Sequence, residues 1–319
     1  MTAQRTVPAD GSTATVGLLP WIALGVVYVV WGSTYLAIRY MVESMPPLTS
    51  AGLRFAVAGV LLGAVLVAVR GWRVLRMTRA QLGTAVLLGF LLPAWGNGLV
   101  TVAEQQTASG LAALLIASVP LYIVLLRLLA GDRPRRSTLI GVVVGLAGLA
   151  VMLLTGGADG SGGTVGAAWW GPWLVLLAAL GWAAGSFAAT RMPTPPNPFA
   201  LTAVEMVAGG VIMVAAGVLT GERLELAAVT APSWTAWTFL VTVGSIGAFS
   251  SYVYVLGRLP VSTVATYAYV NPVIAVLLGV LIAGERFGLA QLLGGALVVA
   301  AVVVVIASER RRPPAVGAT

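Results

Sequence analysis

Polar and aromatic side chains recur at helical spacing within the apolar segments of this 319-residue chain. Residues three, four or seven positions apart lie on one face of a helix. Three segments follow this pattern, with Tyr28, Trp31, Tyr35 and Arg39 in the first, Pro93, Asn97, Thr101 and Gln105 in the second, and Thr263, Tyr267 and Asn271 in the third. Because aromatic walls with a few polar groups are typical of small-molecule sites, these stripes predict a ligand cavity between helices.

Nine residues are the candidates for the walls of this cavity, drawn from the stripes and from two further apolar segments. They are Trp31, Tyr35, Asn97, Thr101, Trp182, Ser186, Tyr254, Tyr267 and Asn271. An alternative applies to each single hydroxyl or amide, because such groups in membrane helices also bond to adjacent helices without any ligand. The sequence leaves both interpretations open.

Two charged residues lie inside apolar segments, where an ionisable side chain is costly and marks a functional hypothesis. Glu205 is either a proton carrier or counter-charge for a cationic substrate, or a hydrogen-bonded packing residue. Arg54 either attracts an anionic group or extends outward as an anchor. The two residues enter from opposite sides of a core about 30 Å thick. At about 1.5 Å per residue they differ by roughly 12 Å in depth, so no direct pair is expected.

Two prolines lie mid-span at corresponding places in the two halves of the chain, Pro120 and Pro272. A proline inside a helix removes one backbone hydrogen bond and kinks the helix. Prolines are also tolerated in membrane helices without any special role. Their matching positions favour the interpretation that both prolines act as hinges for gating.

Several kinds of chemistry are not predicted. The chain has no cysteine and no histidine, so thiolate or imidazole ligation of a metal is ruled out, and proton coupling would need a carboxylate. We expect no catalytic residues, metal or cofactor, because paired acids or a clustered metal motif are missing from the sequence. An intramembrane enzyme and a channel-like facilitator stay as alternatives, although no filter loop or ring of like charges is evident.

The composition predicts an all-α integral membrane protein. Hydrophobic residues make up 59% and charged residues 9% of the chain, whereas about 25% of an ordinary soluble domain is charged. A helix that spans a bilayer needs about 20 apolar residues. Ten windows satisfy this, at 19–40, 48–69, 81–103, 107–129, 138–155, 169–190, 198–219, 234–256, 260–283 and 288–307.

The arginines predict the orientation. Thirteen of the 18 basic residues fall in loops and tails on the same side as the N-terminus, and only Arg223 and Arg286 fall in loops on the other side. Such a bias places the arginine-rich side in the cytoplasm, so both termini are expected there. The net charge of +8 is therefore explained by membrane orientation, and no nucleic-acid partner is predicted.

The chain contains an internal repeat. Ala130-Gly131-Asp132-Arg133 and Ala283-Gly284-Glu285-Arg286 are separated by 153 residues, as are Gly141 and Gly294, and the two prolines are separated by 152. Five spans per copy is an odd number, so the second copy enters the membrane from the opposite side. Inverted repeats of this kind are typical of secondary transporters that work by alternating access.

These residues also form motifs that resemble a known family. The first half carries Trp31-Gly32-Ser33-Thr34-Tyr35, Pro46-Pro47-Leu48, Arg54-Phe55, a run from Gly96 to Glu104, and Ser109 to Leu114 with Pro120; the second carries Glu205 to Gly210, Tyr267 to Pro272, and Gly284-Glu285. Over residues 19–307 the chain resembles the EamA-type members of the drug/metabolite transporter superfamily. The resemblance implies a ten-helix inner-membrane carrier with a central cavity that exports amino acids, metabolites or toxic compounds.

The expected organisation follows from the spans and the repeat. A cytoplasmic tail covers 1–17, the first repeat 18–155, a linker 156–168, the second repeat 169–307 and a C-terminal cytoplasmic tail 308–319. The expected partners are a small-molecule substrate and the lipid bilayer, with protons as a further candidate. The oligomeric state is left open.

Overall fold

A computed structural model of the chain describes residues 17–155 and 169–310, and throughout these ranges the regular elements are helices. The linker expected at 156–168, and most of the two expected tails, lie outside the described residues. Ten helices account for the predicted spans. They are α1 (Leu18–Val42), α2 (Pro47–Arg70), α3 (Arg79–Ala103), α4 (Ser109–Leu129), α5 (Arg136–Thr155), α6 (Trp170–Ala189), α7 (Pro198–Leu219), α8 (Ala231–Leu256), α9 (Tyr267–Ala283) and α10 (Leu289–Arg310).

Nine of these helices are long and apolar enough to cross a membrane. The shorter α9 has 17 residues and follows a separate helical turn at Val261–Val264. Large apolar side chains on the outside of the bundle are exposed, with Val60, Val65 and Leu281 at 59%, 60% and 78%. Exposed apolar surface on this scale indicates contact with lipid, and the predicted all-α membrane fold is confirmed.

Successive helices run in alternate directions, so the bundle has two faces. We call the face at which α1 begins the proximal face and the one at which α1 ends the distal face. The loops that follow α1, α3, α7 and α9 lie on the distal face. The loops that follow α2, α4, α6 and α8 lie on the proximal face.

Equivalent helices of the two halves pack against each other. The most extensive helix pairs are α2 with α7 and α5 with α10, which are the second and the fifth helices of each half. The packing of α1 on α9 also has a counterpart, because the equivalent helices α6 and α4 pack on each other. The fold is therefore two inverted five-helix repeats, as the sequence predicts.

Glycines allow the backbones of these helix pairs to touch. A β-carbon on Gly52 of α2 would lie 2.7 Å from the carbonyl oxygen of Gly210 in α7, and one on Gly59 would lie 2.7 Å from that of Ala203. The two contacts are equivalent in the repeat. Gly52 corresponds to Ala203 and Gly59 to Gly210, each pair being 151 positions apart in the chain. In the same way, a β-carbon on Gly148 of α5 would lie 2.7 Å from the carbonyl oxygen of Gly294 in α10. Small residues at such crossings permit close helix packing in membranes.

Irregular helical geometry occurs at matching places in the two halves. The third helix of each half contains a π-helical segment of eight residues, Phe90–Asn97 in α3 and Leu240–Gly247 in α8. Such wide turns are frequent at functional sites. The prolines behave differently: α4 is interrupted between Ile116 and Val119, just before Pro120, whereas Pro272 lies within the continuous helix α9.

Candidate functional site

Three aromatic rings from three helices meet near the middle of α1. The ring centroid of Trp31 lies 5.1 Å from that of Tyr252 in α8 and 5.2 Å from that of Tyr267 in α9, and the two tyrosine rings are 5.7 Å apart. Two of the three contacts are edge-to-face, a favourable arrangement for aromatic pairs. We call these three side chains the aromatic cluster. It joins Trp31 with Tyr267, as the stripes predict, and adds Tyr252.

Asn271 lies one turn beyond Tyr267 on α9 and connects this helix with α1. Its amide nitrogen, when oriented toward the surrounding acceptors, donates to the carbonyl oxygens of Tyr28 at 3.2 Å and Tyr267 at 3.3 Å. Close by, the hydroxyls of Tyr28 and Thr266 are hydrogen-bonded to each other. The polar atoms of this stripe therefore join α1 to α9 beside the aromatic cluster.

A second group of predicted residues lies where α3 packs on α6. Asn97 ends the π-helical segment of α3, and its carbonyl oxygen accepts from the Thr101 hydroxyl at 2.8 Å. The ring of Trp182 packs so closely on Gly96 that a β-carbon there would lie 2.8 Å from it. Ser186 follows Trp182 by one helical turn and is half-buried.

Two of the predicted cavity residues, Tyr254 and Tyr35, make no ring contact with the aromatic cluster. Tyr254 points to the proximal end of α8, where the guanidinium of Arg258 lies 3.8 Å from its ring centre. Tyr35 is partly buried against the hydrophobic cores around Leu115 and Met41. Tyr252, two positions before Tyr254, occupies the place beside Trp31.

Arg54 and Glu205 lie on different helices and are both buried. The Nε of Arg54 donates to the Ser245 hydroxyl in the π-helical segment of α8 at 3.2 Å, whereas its Nη1 has no partner. Only 4% of Arg54 is exposed, so its guanidinium stays among the helices. The carboxylate of Glu205 makes no hydrogen bond or ion pair with any described residue.

At the distal face, Glu285 connects the second half with the first. One carboxylate oxygen accepts from Arg39 at 3.0 Å and from the backbone N–H and hydroxyl of Ser109 at 2.8 Å each. The other oxygen accepts from the N–H of Gly110 at 3.1 Å. The side chain therefore satisfies the first N–H groups of α4, where a negative charge is also favoured by the helix dipole.

Glu222 makes a similar connection to α2. Its two carboxylate oxygens accept from the backbone N–H groups of Leu48 at 3.1 Å and Thr49 at 2.7 Å. Each acid thus follows a helix of the second half and caps a helix of the first. We call the contacts that Glu222 and Glu285 make with the first half the distal seal.

Glycines shape both sides of the distal seal. Gly221 and Gly284 end their helices with left-handed backbone, φ +83° and +62°, which turns the following acid back toward its own helix. Gly217 and Gly279 leave room for the carboxylates, because a β-carbon on either would lie within 3 Å of a glutamate oxygen. Six buried or half-buried bonds to two carboxylates therefore depend on four glycines.

Two helices that begin at the proximal face, α3 and α7, are capped by side chains of their own half. The Asn197 side chain accepts from Phe199 N–H at the start of α7, and Thr78 with Gln81 forms a capping box at the start of α3. Between the halves, Arg191 lies 3.8 Å from Asp132, and both side chains are substantially exposed. The two faces differ, since buried carboxylates join the halves at the distal one only among the described residues.

Glu104 lies next to the distal seal, one residue beyond α3. Only 2% of it is exposed, and neither carboxylate oxygen has a hydrogen-bond partner in the described part of the chain. Burial, and then the negative charge of Glu285, raise the pKa of this carboxyl well above its usual range, whereas the charges of Arg39 and Arg54 and the nearby backbone N–H of Arg39 act in the opposite direction.

Sequence reasoning identified neither Glu104 nor Glu222 as a site residue. A signal existed for Glu222, because Thr220-Gly221-Glu222-Arg223 is a third copy of the Gly-acid-Arg motif that ends α4 and α9. The signal for Glu104 was weaker, because this residue is the last one of the motif run from Gly96 to Glu104 and follows the predicted third span directly. Among the described residues no group of three acids could hold a metal ion.

Comparison with known proteins gives a family match over both halves. The model of the EamA-like transporter family matches residues 19–154 and again residues 169–307. The chain is 41% identical to the uncharacterised inner membrane transporter YedA of Escherichia coli K12 over 270 residues, 84% of each chain. It is 26% identical to a chloroplastic WAT1-related protein of Arabidopsis thaliana over 284 residues, 88% of this chain and 67% of that protein.

The fold itself is also found among solved structures. One crystal structure superposes with a TM-score of 0.61 over 92% of this chain and 99% of the other, at 23% sequence identity. This likeness concerns the arrangement of the helices alone.

Proposed function

The chain belongs to the EamA-like transporter family, and from this premise we propose that it is a secondary transporter that moves a small metabolite, amino acid or drug-like compound by alternating access. The observation that carries the proposal is the distal seal, where carboxylates of one half cap helices of the other. Two inverted halves joined reversibly at one face can rock about a central site.

We place the protein in the cytoplasmic membrane with the proximal face toward the cytoplasm. The relative YedA is described as an inner membrane transporter, and the proximal loops of this chain hold most of its arginines. In this orientation the distal seal closes the outer side, and export is the direction that the family resemblance favours.

The aromatic cluster is the proposed wall of the substrate site. Trp31, Tyr252 and Tyr267 offer ring faces from three helices, and Asn97, Thr101, Trp182 and Ser186 line the crossing of α3 and α6. Asn271 and Tyr35 support the first group, and Tyr254 closes its proximal side. Pro120 and Pro272 are proposed as the joints at which α4 and α9 bend.

Flux through proteoliposomes tests this function. Vesicles that contain the purified protein would be loaded separately with amino acids, purine nucleosides and cationic dyes, with a pH gradient imposed on half of the samples. Saturable, substrate-selective flux is expected from a carrier and not from a channel. Flux that fails to saturate for any class would favour the channel-like facilitator.

Removing the central ring of the aromatic cluster should weaken substrate binding. Trp31→Ala is expected to reduce flux at low substrate concentration by about 5- to 150-fold, because base-sized or aromatic ligands gain roughly 1–3 kcal/mol from one stacked ring. The matched control is Trp72→Ala, which removes an exposed tryptophan whose ring is stacked by Arg76 in a proximal loop. Equal losses in both variants would contradict the proposed site.

Glu205 is proposed as a charge that the substrate or a proton meets within α7. Its buried carboxylate has no partner among the described residues, so a cation or proton can occupy it. Glu205→Gln is expected to weaken flux of cationic substrates or to remove the effect of a pH gradient. If the folded variant keeps both the wild-type rate and the wild-type pH response, this role is wrong.

A further inference from the structure

We propose that the Glu104 carboxyl is a proton-binding site that decides whether the distal seal holds. The inference deepens the proposed transport function and rests on it for its physiological use. Its structural basis is separate: a carboxyl that is 98% buried, with two oxygens that bond to nothing, stands beside the one arginine that the distal seal employs.

The burial of Glu104 favours its neutral form. Leaving a carboxylate in a dry site without hydrogen bonds costs several kcal/mol, and such a group takes up a proton instead. The raised pKa agrees in sign, since a carboxyl with a raised pKa stays neutral where an exposed glutamate is ionised. It ionises only as the pH rises through that raised value.

Charged and titratable groups face Glu104 from three directions. Tyr35 and Arg39 come from α1, Arg54 comes from α2, and Glu285 comes from the loop after α9. The Arg39 guanidinium is bonded to Glu285 in this structure and not to Glu104. A metal cation is the poorer occupant, because two arginines repel it and hard cations require six or more oxygen ligands.

The proton at Glu104 determines the partner of Arg39. While Glu104 is neutral, Arg39 stays with Glu285, and Glu285 continues to cap α4. Once Glu104 releases its proton to water at the distal side, its negative charge attracts Arg39 and repels Glu285. The seal then loses its ion pair, and the halves separate at the distal face.

A single cysteine reports the state of the distal seal. The chain has no native cysteine, and Thr107 is fully buried against Gly171 of α6 with its hydroxyl unpartnered, so Thr107→Cys removes no hydrogen bond. Purified Thr107→Cys would be labelled with a maleimide in detergent from acidic to alkaline pH. Labelling of Gln105→Cys, an exposed position in the same turn, corrects for the pH dependence of the reagent.

The corrected labelling rate is expected to rise about tenfold with pH, the change produced by a pKa that differs by about one unit between sealed and open states. Adding Glu104→Gln should hold the rate at its low-pH value, while Glu104→Asp should retain a pH response. The control Glu43→Gln removes an exposed distal acid and should change nothing. A flat parent profile, or an unchanged response in Glu104→Gln, would overturn the proposal.

Flux measurements on the same proteins separate the two proposals. Saturable flux together with a flat labelling profile would retain the transporter and reject the proton site. A pH response that depends on Glu104, without flux of any substrate class, would retain the proton site and remove support from the transport function. Sodium-dependent labelling at constant pH would show a metal cation at Glu104 and would also overturn the proton.

Discussion

Glu285→Ala is expected to lower the free energy of unfolding by about 3–5 kcal/mol, the usual cost of removing one partner of a buried ion pair. The substitution leaves Arg39 without its carboxylate and removes the acceptor from the N–H groups of Ser109 and Gly110. Thermal unfolding of the purified protein in detergent, followed by circular dichroism, measures the effect.

Two further variants make this result specific. Glu225→Ala removes an exposed acid from the distal loop after α7 and should leave the melting temperature nearly unchanged. Glu285→Gln keeps an amide oxygen that can accept from α4 and should recover part of the loss. A melting temperature for Glu285→Ala equal to that of Glu225→Ala would show that the distal seal contributes nothing to stability.

Gly210→Val is expected to prevent correct packing of α2 on α7. A β-carbon at this position would lie 2.5 Å from the Ala56 nitrogen and 2.6 Å from the Gly52 carbonyl oxygen. Both are backbone atoms, so no change of side-chain rotamer can relieve the clash. Overpacking in a close-packed interior costs about 1–3 kcal/mol even where side chains can adjust. We expect the yield of monodisperse protein in size-exclusion chromatography to fall to near zero.

The control for Gly210→Val is Gly25→Val in α1. A β-carbon on Gly25 would meet no atom within 4 Å, so this variant has the same change in helix propensity without the steric conflict. It should be recovered at nearly the wild-type level. Similar recovery of both variants would mean that α2 and α7 are separated further than the structure shows.

The sequence predicted the helices well because the membrane imposes a simple rule on them. Each of the ten apolar windows overlaps one helix, and the duplicated Gly-acid-Arg motif together with the odd number of spans per copy predicted that the halves are inverted. Span length and loop charge are local properties that can be counted along the chain. For the helices, the structure adds to the sequence prediction only the close packing between the two halves at the glycine contacts.

The site was predicted less completely, because its residues depend on helical phase and on loop position. Trp31 and Tyr267 lie together as the stripes indicate, but the π-helical segment Leu240–Gly247 changes the number of residues per turn in α8. Tyr254 was predicted as one of the polar residues in this apolar span and not from a helical face, whereas the structure places Tyr252 beside Trp31. The burial of Glu104 depends on how α1, α2 and the loop after α9 meet, which no local pattern contains.

The glycine contacts between equivalent helices also limit how the two halves can move. Backbones that touch at Gly52 and Gly210, and at Gly148 and Gly294, can swivel on each other but cannot separate without losing the whole interface. The two contacts belong to different helix pairs, and we expect the line that joins them to be the axis about which the halves rotate in the proposed alternating access. Rotation of the second half about this axis would move Glu222 and Glu285 away from the first half while both helix pairs stay in contact.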